Sequence, residues 1–504
     1  MLLIGHFHRF RWVALPFALG LAGLLVGLDR LGFGVPWLGA AAVLYALLAW
    51  RFGVAALAQP ATWRLAGIMG FIVPGGAGGS RQVEESLHAC ALLVAAIPVA
   101  VSPALALLGS SAWEVLPAIL LGLLLFVLAG WHYRSVLHAY AALIALTVAA
   151  WLLDTRWMKP ELFALGQPLL NVMLSAIMAL AGIGLESEKA APLAYWRAPL
   201  RSIGTLLYLL ALAGATLAGL AGDPRLPGLL ALLCAALFPV ARPWPNAAAW
   251  RGLGLPLLLS GLVWSLAARV DVGWRNGIEL TSVWGYALWF GGNWLLPRWN
   301  ARRPGWAVAS EFWPLLGLVF VLGGGVTGLI TSVWSPAVTL GLLAPYLFLL
   351  LRNTAWPGMA WLAVATLTVS GLLIGMDLRG WNLLSGSRDV GVVVGGCAIA
   401  LVWLNLLFLL VPLWRRHGGT LTRWLGWRGH DLAEPLFRLP FAALVLLLAR
   451  LGWLAFGLFW SAPMAESASW GVVGVVLLLV ATAGHAFRLR PESPQAHVLL
   501  LAMQ

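Results

Sequence analysis

The residues able to do chemistry are few in this chain, lie far apart and sit mostly inside long apolar runs. Arg450 falls deep in the run 439 to 460, too far from either end for its guanidinium to reach water along its own side chain. An ionised group at that depth costs several kcal/mol unless it is paired or hydrated, so Arg450 must meet a carboxylate, a carbonyl or a watery cavity. It is therefore a candidate for a substrate pathway, with structural pairing as the competing role. Asn171, Asn293 and Asn405 are also deep in apolar runs. A buried amide there either hydrogen-bonds between helices, at about 0.6 to 2 kcal/mol, or touches a substrate. Glu311 stands at the start of a run, where a carboxylate reaches water; it completes the pathway candidates, with solvated capping as its plainer role.

A second group is basic and aromatic. Arg415, Arg416, Arg423 and Arg428 alternate with Trp414, Trp424 and Trp427 between two apolar runs. Cations interleaved with indoles suit anionic lipid headgroups at the membrane interface, and simple topological anchoring is the alternative.

Other sets lack the spacing their chemistry needs. His132 and His138 share one short loop and His6 and His8 the N-terminal segment, and neither pair forms a ligand set for haem or metal. Cys90, Cys234 and Cys397 have no CxxC spacing and read as small core residues. The segment Gly78-Gly79-Ser80-Arg81-Gln82-Val83-Glu84-Glu85-Ser86 lacks the Lys-Ser/Thr ending of a phosphate-binding loop and reads as a connector. No catalytic set emerges, and no cofactor is expected.

The elements that would have to position these residues are set by composition. The 504 residues are 62% hydrophobic and 10% charged, against roughly 25% charged in soluble domains, and mean hydropathy is +0.91. That balance predicts an all-α, polytopic integral membrane protein. Runs of about 20 apolar residues span a hydrocarbon layer roughly 30 Å thick. Such runs lie near 11 to 28, 32 to 51, 86 to 109, 112 to 131, 137 to 153, 161 to 184, 201 to 221 and 224 to 241. They continue near 253 to 269, 278 to 297, 307 to 330, 333 to 351, 358 to 376, 389 to 414, 439 to 460 and 469 to 487. About sixteen transmembrane helices are expected, with a membrane domain over 1–487 and a short tail over 488–504.

The charge pattern orients them. With the N-terminus inside, twenty-two of the 31 Lys and Arg residues fall in inside loops and eight in outside loops, leaving Arg450 within a span. The positive-inside rule then places both termini in the cytoplasm of a bacterial inner membrane. The net charge of +13 is spread over these loops rather than gathered in a basic module, so the lipid bilayer and not nucleic acid is the expected partner. Trp131, Trp196, Trp299, Trp356, Trp381 and Trp414 fall at span ends, where indoles anchor.

Two weaker patterns complete the reading. Ser111-Ala112-Trp113, Arg134, Leu146-Thr147-Val148 and Asp154-Thr155-Arg156 align with Ser332-Val333-Trp334, Arg352, Leu367-Thr368-Val369 and Asp377-Leu378-Arg379. The shift carries the fourth and fifth spans onto the twelfth and thirteenth, an eight-plus-eight parallel duplication of a kind transporters use; chance similarity in a Leu- and Ala-rich chain is the competing account. The tail Arg488-Leu489-Arg490-Pro491-Glu492-Ser493-Pro494-Gln495-Ala496-His497-Val498-Leu499-Leu500 resembles the start of a tetratricopeptide repeat. Since a full repeat takes about 34 residues, only its opening is covered, and the resemblance implies either docking to a protein partner on the cytoplasmic face or a longer gene product of which this is the membrane part.

For function, the chain is expected to be a transporter or flippase-like protein for an unidentified anionic or lipid-linked substrate. The alternative is a non-catalytic scaffold or anchor subunit of a larger complex, and a membrane enzyme acting on envelope polysaccharide or lipid is a minor third. An enzyme is the less expected outcome, because the outside loops are too short for a catalytic domain.

Overall fold

The computed structural model describes residues 17–58, 77–107, 112–157, 163–332, 334–377, 390–427, 431–461 and 466–489, and every element among them is helical. The chain divides into two compact units, Met1–Leu266 and Ala267–Gln504. In the first unit the helices are α1 (17–30), α2 (Val35–Ala58), α3 (Ala77–Leu107), α4 (Ala112–Tyr133), α5 (Val136–Trp157), α6 (Phe163–Gly184), α7 (Arg197–Leu220), α8 (Leu226–Val240) and α9 (Ala247–Arg269), with a 3-10 segment Glu188–Trp196 before α7. The last of these runs three residues into the second unit. That unit continues with α10 (Trp274–Phe290), a π turn Gly291–Leu295, α11 (Leu296–Arg302), α12 (Phe312–Ile330), α13 (Pro336–Leu350), α14 (Gly358–Asp377), α15 (Val390–Leu425), α16 (Ala433–Ser461) and α17 (Glu466–Leu489).

Each expected apolar run coincides with a helix, because the turn chemistry is where the runs break. Gly32, Gly222 and Gly426 take φ of 83°, 67° and 71° at helix ends, and Asn246 and Asp271 take φ of 56° and 53°, the residue types that enter the left-handed region most readily. Ser335 caps α13 by accepting from the Val338 N–H at 3.3 Å, and Pro336 follows at its first position, where the missing N–H costs nothing.

Packing within the first unit runs in order: α2 on α3 and α4, α3 on α4 and α5, α4 on α5, α5 on α6 and α7, α6 on α7 and α8, and α7 on α8. One apolar cluster joins Trp50, Ala91, Ala95, Ile119, Leu125 and Phe126. In the second unit α10 packs on α12, α12 on α13, α13 on α14, α14 on α15 and α16, and α15 on α16 and α17. Leu401, Leu404, Phe408, Phe437 and Leu444 fill its main core.

The outward faces show what solvent the fold requires. Eight helices among the described residues are long and apolar enough to cross a membrane, and between 28% and 50% of each apolar stretch is buried. The remainder turns large apolar side chains outward: Leu220 is 88% exposed, Ile330 79% and Leu137 70%. Helices apolar on every side are stable only in an apolar surround, so the protein is a helical membrane protein with several spans, in contact with lipid. Five more apolar helices are shorter. Two of them, α8 and α13, have 15 residues each, a rise of about 22 Å at 1.5 Å per residue.

Two expectations about loops are corrected. The basic stretch after residue 414 is not a loop at its start, because α15 continues to Leu425 and carries Arg415, Arg416 and Arg423 on the helix. It ends where Gly426 turns left-handed and the Trp427 N–H reaches back to the Thr422 carbonyl at 2.8 Å, a Schellman closure. The loop expected to hold His132 and His138 is a two-residue turn, Arg134-Ser135, so both histidines are helical.

Candidate functional site

Where α2, α3, α4 and α5 meet, four helices bring together a cluster of titratable groups. On α3, Glu84 and His88 are one turn apart and so share a face. His132 and Tyr133 end α4, and after the turn His138 opens α5. The turn can be this short because Arg134 takes φ of 48°. Trp50, fully buried on α2, lies 5.4 Å from the His88 ring, and the Tyr133 ring lies 4.4 Å from it.

The centre of the cluster is a pair of imidazoles. His88 Nε2 and His138 Nε2 are 2.6 Å apart, with His88 8% and His138 7% exposed. Such a contact needs one protonated and one bare nitrogen, so one proton sits between the rings. The Nδ1 atoms of both rings are buried and make no hydrogen bond. An unsatisfied buried group costs about 1 to 3 kcal/mol.

Glu84 ties together the more exposed edge of the cluster. Its Oε1 is 2.8 Å from His132 Nε2 and accepts from the Tyr133 hydroxyl at 3.1 Å. The His132 side chain is 43% exposed. From the exposed ring inward, the order is His132, Glu84, Tyr133, His88 and His138. Among the described residues no three His, Cys, Asp or Glu side chains converge to hold a metal ion.

No protein-family model, curated protein or solved structure matches this chain. Its functional reading therefore rests on its own residues.

A second cluster forms between α6 and α9 in the same unit. Glu186 receives Arg201 Nη2 on one carboxylate oxygen at 2.6 Å and Arg242 Nη2 on the other at 3.0 Å. Arg197 Nε donates to the Leu185 carbonyl at 2.6 Å. Arg251 is buried nearby and feels the charge of Arg242. A small cleft alongside is lined by Arg201 and Thr205 against Ala179, Ile183, Pro239 and Val240. Several guanidiniums around one carboxylate leave the locality positive, suited to an anion with an apolar body.

The residues singled out from sequence lie elsewhere and apart from one another. Asn171 accepts from Trp151 Nε1 at 2.7 Å, holding α6 to α5. Asn405 on α15 donates to the Thr482 hydroxyl on α17 and to the Leu401 carbonyl at 3.2 Å. Asn293, in the π turn, pairs with Asn353 after α13. Glu311 occupies the position before α12 but makes no capping hydrogen bond. Arg450 lies on α16, with its side chain outside the described residues. Of the headgroup candidates, Arg423 Nε bonds the Gly419 carbonyl at 3.1 Å and Arg415 Nη1 the Leu489 carbonyl at 3.4 Å. Arg416 is exposed, the Trp427 ring lies tilted against Trp414 at 5.7 Å, and Arg428 and the Trp424 side chain fall outside the described residues. The tail beyond Leu489 does so too.

Sequence reading passed over His88 altogether. Its signal was faint: a carboxylate and an imidazole four residues apart at the head of an apolar run, with two more histidines flanking a short turn.

Proposed function

We propose that the chain is a multi-pass transporter or flippase of the bacterial inner membrane, acting on an anionic or lipid-linked substrate, with about sixteen spans and both termini in the cytoplasm. The observation that carries this reading is the repeated packing order of the two units. The contacts α2–α3, α3–α4, α4–α5, α5–α6, α5–α7, α6–α7 and α6–α8 are matched one for one by α10–α12, α12–α13, α13–α14, α14–α15, α14–α16, α15–α16 and α15–α17. Among the described residues, the close packing of α2 with α4, α3 with α5 and α7 with α8 has no equal in the second unit, although α10 and α13 meet through Tyr286 and Tyr346.

The sequence echoes fall on this correspondence. Trp113 begins α4 as Trp334 precedes α13, and Arg134 and Arg352 follow those helices. Thr147 on α5 and Thr368 on α14 are both buried and both return a hydrogen bond to the carbonyl four residues back at 2.8 Å. An eight-plus-eight parallel duplication accounts for all of these, and it is an architecture on which transporters place a substrate path between repeats. The arginines around Glu186 favour an anionic substrate.

Reconstitution tests the reading. In proteoliposomes containing fluorescent anionic lipids or a polyprenyl phosphate, the protein is expected to move the probe between leaflets. Absence of movement for every such probe, with stable co-purification of other envelope proteins, would make it a scaffold. That second reading is favoured by Asn171, Asn293 and Asn405, each of which spends its amide on a neighbouring side chain.

A further inference from the structure

We propose that His88 and His138 form a proton-binding site within the first unit, loaded from the water-facing end of α3 through Glu84. It deepens the transport reading by naming the coupled ion, and its test is read on protons themselves.

Three observations carry it. The two rings meet Nε2 to Nε2 at 2.6 Å in a buried setting. Each ring keeps its other nitrogen buried without a hydrogen bond, so each has one nitrogen available to take or give a proton. The third is the placement of Glu84 one helical turn before His88 on the same face, tied to an exposed His132. Chains of carboxylate and imidazole inside a membrane protein are the groups from which proton relays are made.

The transfer balances without a redox partner. With His88 bearing its proton on Nε2 and His138 on Nδ1, water protonates the Glu84 carboxylate, directly or by way of His132. No hydrogen bond joins Glu84 to His88 Nδ1, so a relaying water carries the proton: the Glu84 O–H bond breaks as that water takes the proton, and the water gives up one of its own as an N–H bond forms at His88 Nδ1. His88 then releases its Nε2 proton to His138 Nε2, breaking one N–H bond and making the other. His138 ends as an imidazolium with both nitrogens protonated, His88 ends neutral as the opposite tautomer, and Glu84 is again a carboxylate, the nearest counter-charge.

The charged and titratable groups around the pair are few. Glu84 and Glu85 from α3 are the carboxylates on this side, and α4 presents His132 and Tyr133. From α2 comes Trp50, whose ring carries the Arg51 guanidinium at 5.9 Å. The 3-10 segment contributes Tyr195 beside Gly130, which also touches the His138 Cβ. On α5 the next titratable group is Tyr140, which bonds to Ser202 of α7 rather than to the pair.

The experiment is histidine-labelled ¹⁵N NMR of the full chain in lipid nanodiscs across a pH titration. One protonated and one bare Nε2 coupled across a hydrogen bond are expected, lost in H88Q and in H138Q, with conversion to a cationic pair on acidification. Because either variant removes a buried contact at the helix junction, E84Q serves as the second test: it leaves the pair coupled but slows its exchange with water by about a hundredfold, the usual scale for loss of a general acid–base group. A pair that keeps its tautomers throughout the titration, or that exchanges equally fast in E84Q, overturns the proposal. Proton loading without probe movement in proteoliposomes keeps this site and removes the transporter; probe movement with a silent pair removes the site and keeps the transporter.

Discussion

Asn293 and Asn353, 60 residues apart in sequence, exchange hydrogen bonds in both directions, at 2.9 Å from Asn353 Nδ2 and 3.3 Å from Asn293 Nδ2. Trp289 Nε1 adds a third bond to Asn353 Oδ1 at 3.1 Å. The π turn at Gly291–Leu295 carries Asn293 to this partner and sets Trp294 between Arg298 and Arg352, each 5.7 Å from its ring. A π turn persists where a side chain must be re-aimed.

The pair predicts a measurable coupling. N293A and N353A should each lower the thermal stability of the purified protein, and the double variant should lose little more than either single one. The interaction energy from the cycle should be about 0.6 to 2 kcal/mol, the range for polar pairs between membrane helices. Additive losses would mean that the amides do not act as one contact.

The seam between α10 and α12 predicts a steeper response. A methyl group at Gly285 would lie 2.5 Å from the Gly317 carbonyl oxygen and 2.6 Å from Val321 Cγ2. Small residues here let the two backbones approach, the usual basis of helix association in lipid. G285A should therefore destabilise by about 1 to 3 kcal/mol, as overpacking does. On the same helix as Gly317, Gly323 faces open space, and G323A should be neutral or mildly stabilising. Equal melting temperatures for G285A and G323A would contradict the seam.

These two cases show what a sequence can and cannot disclose. The helices were legible because each apolar run ends in residues such as Gly32, Gly222 or Asp271 that break it. The extension of α15 was not, because Arg415 and Arg416 look like a loop's charges although nothing stops the helix before Gly426. The His88–His138 contact was invisible for a different reason. It depends on α3 meeting α5 at one height, and 50 residues separate the rings. Asn293 was marked by its depth, yet its partner Asn353 sits in a polar turn that reads as solvated.

Glu186 predicts a separation of binding from stability. Its carboxylate is 33% exposed and Arg201 and Arg242 are 37% and 35% exposed, so each ion pair contributes within about 1 kcal/mol. R201Q and R242Q should melt close to the parent protein while weakening its binding to vesicles rich in anionic lipid, more at low salt than at high. E186Q removes the internal counter-charge and should strengthen that binding. If all three variants bound such vesicles alike, the cluster would be structural only.

The proposed topology makes its sharpest prediction around α10. Cys90, Cys234 and Cys397 are buried, so single cysteines introduced at turns report without interference. Ser135 and Gly305 lie in turns that the charge bias places in the cytoplasm, and Gly273 in one placed outside; Gly273 and Gly305 both face open space. On intact cells a membrane-impermeant maleimide should label G273C at once, and S135C and G305C only after permeabilisation. The helix between Gly273 and Gly305 is the severe case, because α10 has 17 residues before its π turn, a rise of about 26 Å. It reaches across roughly 30 Å of hydrocarbon only if the π turn and α11 continue the crossing. Labelling of G273C and G305C from the same side would mean that this segment does not cross, and every later loop would then change sides, leaving Arg415, Arg416 and Arg423 on the face opposite to the one the positive-inside rule demands.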